Sequence, residues 1–342
     1  MKKIYYVFGG IVLSAFLLWL GIELYLGDQI RAAQSIEKLT DNFYYMEYKG
    51  DYKLKEFITS GGVSTDEQLM GFICDELYCG LYEVEYESRR YGCSTLSVKN
   101  EANEVLFGRN FDYPDCKAMI VKTKPKDGYA SISTCDLEFL NIDDEWNEEE
   151  FLNRAMAVAA VYAPVDGMNE KGVCIAVLTV SDSKKTNQES DKLDVTTSMG
   201  VRLVLDYAAT TEEAIKILEN VDMHSSINTQ FKFAITDAKG KSVAVEYIDN
   251  EMYVVDVQAT SNIYQSTAKV KKDERFDVLN EAYKADNGIM DANKLMKTME
   301  KASQKYFHHN HTQWTAVFYT KEKKVDYCHH ENFNKKYEIY LK

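Results

Sequence analysis

Tyr91-Gly92-Cys93-Ser94-Thr95 and, a short break later, Leu106-Phe107-Gly108-Arg109-Asn110-Phe111-Asp112-Tyr113 are the stretches on which the reading of this chain turns. From Ser94 to Val98 polar and apolar residues alternate, the period of a half-buried strand. Asn100 to Asn103 supplies turn formers, and Val105 to Phe111 resumes an extended pattern. The two runs read as a hairpin that begins at a cysteine. A cysteine opening one strand, beside a partner strand that carries Arg109 and Asp112, brings three chemical groups together. The thiolate is the nucleophilic form of cysteine, and a neighbouring guanidinium favours it by opposite charge. Asp112 is suited to orient an amine or a substrate amide. Against this stands a bland reading: Cys93 as a small buried hydrophobe, with Arg109 and Asp112 as a structural ion pair.

Around the hairpin, residues 27–92 are polar and helical in flavour, and Gln68 to Tyr82 carries apolar residues near helical spacing. Strands are expected at Ala118–Thr123, Met156–Tyr162 and Val173–Val180, the last after a tight turn over Asp166-Gly167-Met168-Asn169-Glu170-Lys171-Gly172. Helices are expected at Ser198–Ala208 and Glu212–Asn220, the second opened by the capping box Thr210-x-x-Glu213. Further strands follow at Phe231–Thr236 and Ser242–Tyr247, then helices at Asp273–Tyr283 and Asp291–Ser303. The chain closes with strands at Gln313–Thr320 and Lys324–Cys328. Strands, then helices, then strands again indicate a layered α+β fold. No repeat of solenoid or propeller period is visible.

Composition narrows the function classes. The 342 residues carry 40 basic and 54 acidic side chains, a net charge of −14, which argues against a nucleic-acid surface. Apolar residues at 45% and charged residues at 27% are those of an ordinary packed globule. With 3 prolines and 17 glycines, collagen-like and low-complexity classes are excluded. The 24 tyrosines suit pleated sheets, where aromatic side chains pack well. Seven cysteines are too few and too scattered for a disulfide scaffold. Cys74, Cys79, Cys116, Cys135, Cys174 and Cys328 read most simply as unpaired and partly buried, although export would permit a disulfide.

The chain opens Met-Lys-Lys and runs apolar without a charge from Ile4 to Ile22, continuing past Glu23 to Leu26. At about 1.5 Å per residue such a helix crosses a hydrocarbon core of roughly 30 Å. Lys2 and Lys3 keep its start cytoplasmic, so residues 1–26 are expected to anchor an extracytoplasmic domain at the cell membrane. A removable signal peptide is the competing reading, in which the rest is secreted; its apolar core is usually shorter.

Cys93, Arg109 and Asp112 stand at relative positions 0, +16 and +19. This pattern resembles the N-terminal-nucleophile hydrolases of the choloylglycine hydrolase and linear amide C–N hydrolase family, which includes bile salt hydrolases, penicillin V acylases and acid ceramidase-like amidases. The resemblance extends over about residues 93–330, through the Asp166–Gly172 segment, Ser261-Asn262 and Glu274-Arg275-Phe276. It implies a four-layer αββα sandwich over residues 93–342, with residues 27–92 as a pro-segment or linker and activation by cleavage at Gly92–Cys93. It implies catalytic roles for Cys93, Arg109, Asp112, Asn262 and Arg275, and an oxyanion hole from Asn262 and the backbone of Thr179. Bile salt hydrolases carry Asn where this chain has Thr179; the backbone N–H that the family uses there is retained, while the side chain that differs is a departure from the bile salt pattern.

The implied chemistry needs no metal or organic cofactor. A freed α-amine, with a pKa of about 7.7–8.0, serves as internal base near neutral pH. The thiolate then attacks an amide carbonyl, and water resolves the thioester. The expected partner is a small-molecule amide, an N-acyl amide or a bile-salt- or penicillin-like one; a homo-oligomer is compatible. Three alternatives stand beside this: acyl transfer through the same thioester, a papain-like pairing of Cys93 with a histidine such as His311, and a non-catalytic binding ectodomain. His308-His309-Asn310-His311 and Cys328-His329-His330 lack the separated ligand pairs of a structural zinc site and read as solvated loops.

Overall fold

A computed structural model describes residues 2–78, 92–142, 145–180, 183–267, 272–305 and 310–342. Lys2–Gln34 forms one helix, α1, on which Phe8, Leu18 and Leu24 are exposed, while Ala32 and Ala33 near its end are buried. It contains a stretch long and apolar enough to cross a membrane, a character that signal sequences share. Next come β1 (Glu37–Thr40), β2 (Phe43–Gly50), α2 (Leu54–Thr59) and α3 (Asp66–Tyr78). The hairpin is present as β3 (Gly92–Lys99) and β4 (Val105–Tyr113), followed by β5 (Ala118–Pro125) and β6 (Ser131–Asp136). After them lie α4 (Phe151–Ala157), β7 (Asp166–Asn169), β8 (Cys174–Thr179), β9 (Leu193–Thr196), α5 (Thr197–Tyr207) and α6 (Thr211–Glu219). Then come β10 (Val221–His224), β11 (Phe231–Thr236), β12 (Ser242–Ile248), β13 (Glu251–Asp256) and β14 (Ala259–Ser261). The chain ends with α7 (Glu274–Ala285), α8 (Ala292–Lys301), β15 (His311–Tyr319), β16 (Lys324–His329) and β17 (Tyr337–Tyr340).

These strands form a nine-stranded sheet in the order β1-β2-β5-β6-β7-β8-β11-β12-β13, a six-stranded sheet in the order β14-β3-β4-β15-β16-β17, and the parallel pair β9–β10. Alternation along a strand sends successive side chains to opposite faces. On β4, Phe107 and Phe111 join the main apolar core with Ile120, Ile175 and Phe233 of the nine-stranded sheet. Leu106 instead meets Leu279 of α7 and Leu295 and Met299 of α8 on the opposite face. Helix α5 packs against β7 and β8. The result is a mixed α+β fold in which large sheets carry helices.

Four expectations are corrected. Among its described residues, 27–92 is not helical throughout: beyond the end of α1 it has helices α2 and α3 but also strands β1 and β2, because aromatic-rich Phe43–Gly50 pairs in parallel with β5 and drives Phe43, Met46 and Tyr48 into the core. Met156–Tyr162 is not a strand: it ends α4 and continues as a 3-10 turn, an Ala-rich run buried on all sides whose periodicity carries no signal. Asp166–Asn169 belongs to a strand, and the turn is confined to the residues around Gly172, which sits at φ +84°. His311 and His329 are buried on β15 and β16 rather than solvated, with His329 stacked on Phe43. Cys93, Cys116, Cys135, Cys174 and Cys328 are unpaired and buried, and Cys74 is buried too. Cys79, Tyr91, His308 and His309 lie outside the described residues.

Candidate active site

Cys93, the second residue of β3, stands opposite Phe111 of β4, with Gly92 opposite Asp112 and Thr95 opposite Arg109. The hairpin register thus sets all three expected groups around one strand end. Cys93 is fully buried, and burial pushes its thiol up; Arg109 pulls it back and Asp112 opposes that pull. At neutral pH the thiol is therefore held protonated.

Arg109 is buried and fixed by four contacts. Its Nε donates to Asp166 Oδ2 at 3.2 Å, Nη2 donates to the Val177 carbonyl at 3.1 Å, and Nη1 donates to the Asn110 carbonyl. Its guanidinium lies 5.3 Å from the centre of the Phe111 ring, which stacks on Trp314 at 4.0 Å. Trp314 Nε1 donates to the same Asp166 oxygen at 2.9 Å. A bidentate-capable, rigid cation held this way keeps its charge beside the thiol.

Asp112 accepts from Thr312 Oγ1 at 2.6 Å and from Arg275 Nη1 at 2.9 Å. Arg275 is itself anchored by Asp273, the N-cap of α7, whose carboxylate takes hydrogen bonds from its Nε and Nη2. Burial pushes the Asp273 carboxyl up, but Arg275 more than offsets this and leaves it below its ordinary range. Nη2 of Arg275 also donates to Asn262 Oδ1 at 2.8 Å. That same oxygen accepts the backbone N–H of Cys93 at 2.7 Å, while Asn262 Nδ2 donates to the carbonyl and Oγ1 of Thr179 at 2.8 and 2.9 Å. Arg109 aside, whose links run through Asp166 and Val177, the expected residues form one chain of hydrogen bonds: Asp112, Arg275, Asn262, with Cys93 and Thr179 at its end. Both Nδ2 hydrogens of Asn262 are engaged by Thr179, so the pair is not an open oxyanion hole in this arrangement.

The loop bearing Asn262 rests on a buried ion pair that sequence reading missed. Lys232 Nζ donates to Glu246 Oε1 at 3.1 Å, to Thr260 Oγ1 at 2.7 Å and to the Ile263 carbonyl. Glu246 in turn accepts the backbone N–H groups of Gln265 and Ser266. Burial lowers Lys232 to about 8, opposed by Glu246. The available signal was a lysine and a glutamate, each inside an otherwise apolar strand and directly opposite in register. Asp166, Asp273, Thr312 and Trp314 were likewise missed as site residues. Asp166 was read only as part of a turn, and the others sit far along the chain.

A small apolar cleft of about 40 Å³ is lined by Leu69, Met70 and Ile73 of α3 together with Leu140, Val177 and Ile227. Val177 links it to the site, since its carbonyl holds Arg109.

The profile of the linear amide C–N hydrolases, choloylglycine hydrolase family, matches residues 93–303, beginning at Cys93 itself. A penicillin V acylase of Pectobacterium atrosepticum is 30% identical over 99 residues, 26% of this chain and 26% of that protein, so the match spans about a quarter of that relative. The fold is similar to that of a Cys-to-Ala mutant of the conjugated bile acid hydrolase from Clostridium perfringens, at a TM-score of 0.55 and 17% identity, covering 73% of this chain and 92% of that one. It is also similar to penicillin V acylase from Agrobacterium tumefaciens, at a TM-score of 0.50 and 16% identity, covering 69% and 83%. The family match spans well over half of the chain and starts at the cysteine around which the site is built; this protein belongs to the linear amide C–N hydrolases of the choloylglycine hydrolase family.

Proposed function

We propose that this chain hydrolyses a linear amide, with Cys93 as an N-terminal nucleophile exposed by cleavage of the Gly92–Cys93 bond, on a four-layer αββα scaffold. The observation that carries this reading is the hydrogen bond from the Cys93 backbone nitrogen to Asn262 Oδ1, beside Asp112 and Arg275. After cleavage that nitrogen is an amine, and Asn262 Oδ1 keeps it oriented. The amine takes the thiol proton, and Arg109 stabilises the resulting thiolate. Sulfur attacks the amide carbonyl carbon. The tetrahedral intermediate collapses by breaking the C–N bond, and the leaving amine receives the proton held on the Cys93 nitrogen. Water, deprotonated by the same amine, then attacks the thioester, releases a carboxylic acid and restores the thiol. Asn262 Nδ2 and the backbone N–H of Thr179 are the oxyanion donors, once one Asn262–Thr179 bond is exchanged for the substrate oxygen. Losing one such donor typically costs on the order of 10²–10³ in rate.

With α1 as a single-pass membrane anchor the site works beside a bilayer, where N-acyl amides with long acyl chains concentrate. Each buried methylene contributes about 0.8 kcal/mol. The net charge of −14 disfavours polyanionic substrates. The test is kcat/KM across an N-acyl amino acid series, from acetyl to palmitoyl, with the detergent-solubilised full chain. A rise with chain length is expected. A flat series, or one favouring acetyl, overturns the lipid-amide reading and brings penicillin-like or peptide-like amides forward.

A further inference from the structure

The parallel pair β9–β10 sets Asp194 directly opposite Asp222, and His224 two residues on from Asp222, on the same side of its strand. Like charges directly opposite on a ladder repel, and a cation between them would relieve that repulsion. Asp222 is 1% exposed, and its Oδ1 has no hydrogen-bond partner although its Oδ2 accepts the backbone N–H of Ser190. That bare oxygen points toward His224 Nε2, 3.9 Å away, and Asp194 Oδ1 lies 3.1 Å from the same nitrogen. On its other side the imidazole Nδ1 is 3.0 Å from Asn187 Oδ1. A carbonyl oxygen only accepts, so Nδ1 carries a hydrogen, and on the other side a cation can take the place of the Nε2 hydrogen that the Asp194 carboxylate otherwise accepts. An outer carbonyl fixing the tautomer in this way is the usual support for a metal-binding histidine. Asn187 is pinned in turn by Asn250, whose Oδ1 accepts its N–H and whose Nδ2 donates to its carbonyl.

We propose that Asp194, Asp222 and His224 bind a divalent cation of the zinc type. One imidazole nitrogen and two carboxylate oxygens suit a borderline ion better than calcium or magnesium, which prefer all-oxygen sites. The three ligand atoms lie within 4.8 Å of one another. Ligands about 2.0–2.1 Å from a tetrahedral ion stand roughly 3.3 Å apart, so closing on the ion needs shifts of only tenths of an ångström to about an ångström. The fourth position is left to water, and His224 borders a cleft lined also by Ser64, Thr65 and Asn187. The site is independent of the chemistry at Cys93 and has a structural consequence. The backbone of Asp194 is clasped by the upstream part of the chain: its N–H donates to the Gly61 carbonyl at 3.2 Å, and its carbonyl accepts from Val63 at 3.0 Å. An ion on Asp194 therefore braces the join between residues 27–78 and the rest of the fold.

The test is calorimetric titration of chelator-treated full-length protein with Zn²⁺, with Ca²⁺ as control, alongside thermal unfolding with and without Zn²⁺. One Zn²⁺ per chain at micromolar or tighter affinity is expected, with Tm raised by at least about 3 °C at saturation. Asp222→Asn preserves volume and should weaken binding at least tenfold, as should His224→Ala. If His224→Ala does not fold, Asp222→Asn carries the comparison. No binding by wild type would make the trio a hydrogen-bonded cluster around an imidazolium and overturn the proposal. Binding unchanged in Asp222→Asn would place the ion elsewhere, on cysteines or on the β15–β16 histidines, and overturn it equally.

Discussion

The backbone nitrogen of Cys93 and the side-chain oxygen of Asn262, 169 positions apart in the chain, meet at 2.7 Å in a buried hydrogen bond. This one contact ties the end of β3 to the loop after β14, and through Arg275 to Asp112. Under the proposed cleavage of Gly92–Cys93, the same contact would hold the amine that this peptide N–H becomes.

Asp112→Asn should preserve the fold, because the volume is unchanged and Thr312 can still donate to the remaining oxygen. It removes the negative partner of Arg275 and should lower kcat at least tenfold. Arg109→Lys should also lose activity, since one ammonium cannot serve Asp166, the Val177 carbonyl and the Asn110 carbonyl at once. Full activity in both variants, measured on any amide that wild type turns over, would reduce these residues to structural ion pairs.

Gly92→Ala should slow cleavage. A Cβ at Gly92 would lie 2.9 Å from Arg275 Nη1 and 3.2 Å from Asp112 Cβ, so the guanidinium must move off Asp112. Cleavage followed by gel shift during synthesis should run at least about threefold slower than wild type. An unchanged rate would show that Arg275 yields without consequence.

After cleavage, the upstream fragment should stay bound. Strand β2 pairs along its whole length with β5, and Phe43, Met46, Tyr48, Phe57, Ile73 and Leu77 are buried in the shared core. Each such side chain contributes about 1.5–3 kcal/mol on burial. The two fragments should co-elute in native size-exclusion chromatography and part only in denaturant. Activity in a preparation free of residues 27–78 would contradict a fold that needs β2.

Lys232→Met should destabilise by about 3–5 kcal/mol, because it leaves Glu246 buried without its cation. The double variant Lys232→Met/Glu246→Gln should recover a good part of that loss. Lys232 is lowered to about 8 in the fold against an ordinary 10.5, so between those values the unfolded chain binds the extra proton. Stability relative to the double variant should therefore rise as pH increases from about 8 toward 10.5. Denaturant unfolding across that range checks the sign, and a fall would mean that Lys232 gains rather than loses charge on folding.

The hairpin, the apolar strands Ala118–Thr123 and Val173–Val180, and the capped helices after Thr210, Asp273 and Asp291 were legible because each carries its own local signal. Period-2 alternation and a side-chain oxygen at an N-cap do not depend on distant residues. The strand at Phe43–Gly50 was not legible, since its pairing with β5 lies some 75 positions downstream. The Ala-rich run before Tyr162 is buried on every side and so has no periodicity to read. In the site, spacing from Cys93 located Arg109 and Asp112 because the hairpin register is local. Asp166, Trp314 and Lys232 act through long-range contacts, which one strand's pattern does not encode.

Cleavage before Cys93 is tested most directly by intact-mass analysis of purified full-length protein under denaturing conditions. Wild type should yield a fragment that begins at Cys93, and Cys93→Ala should remain one uncut chain. Wild-type protein that turns over an amide while uncut would contradict a Cys93 α-amine as the base.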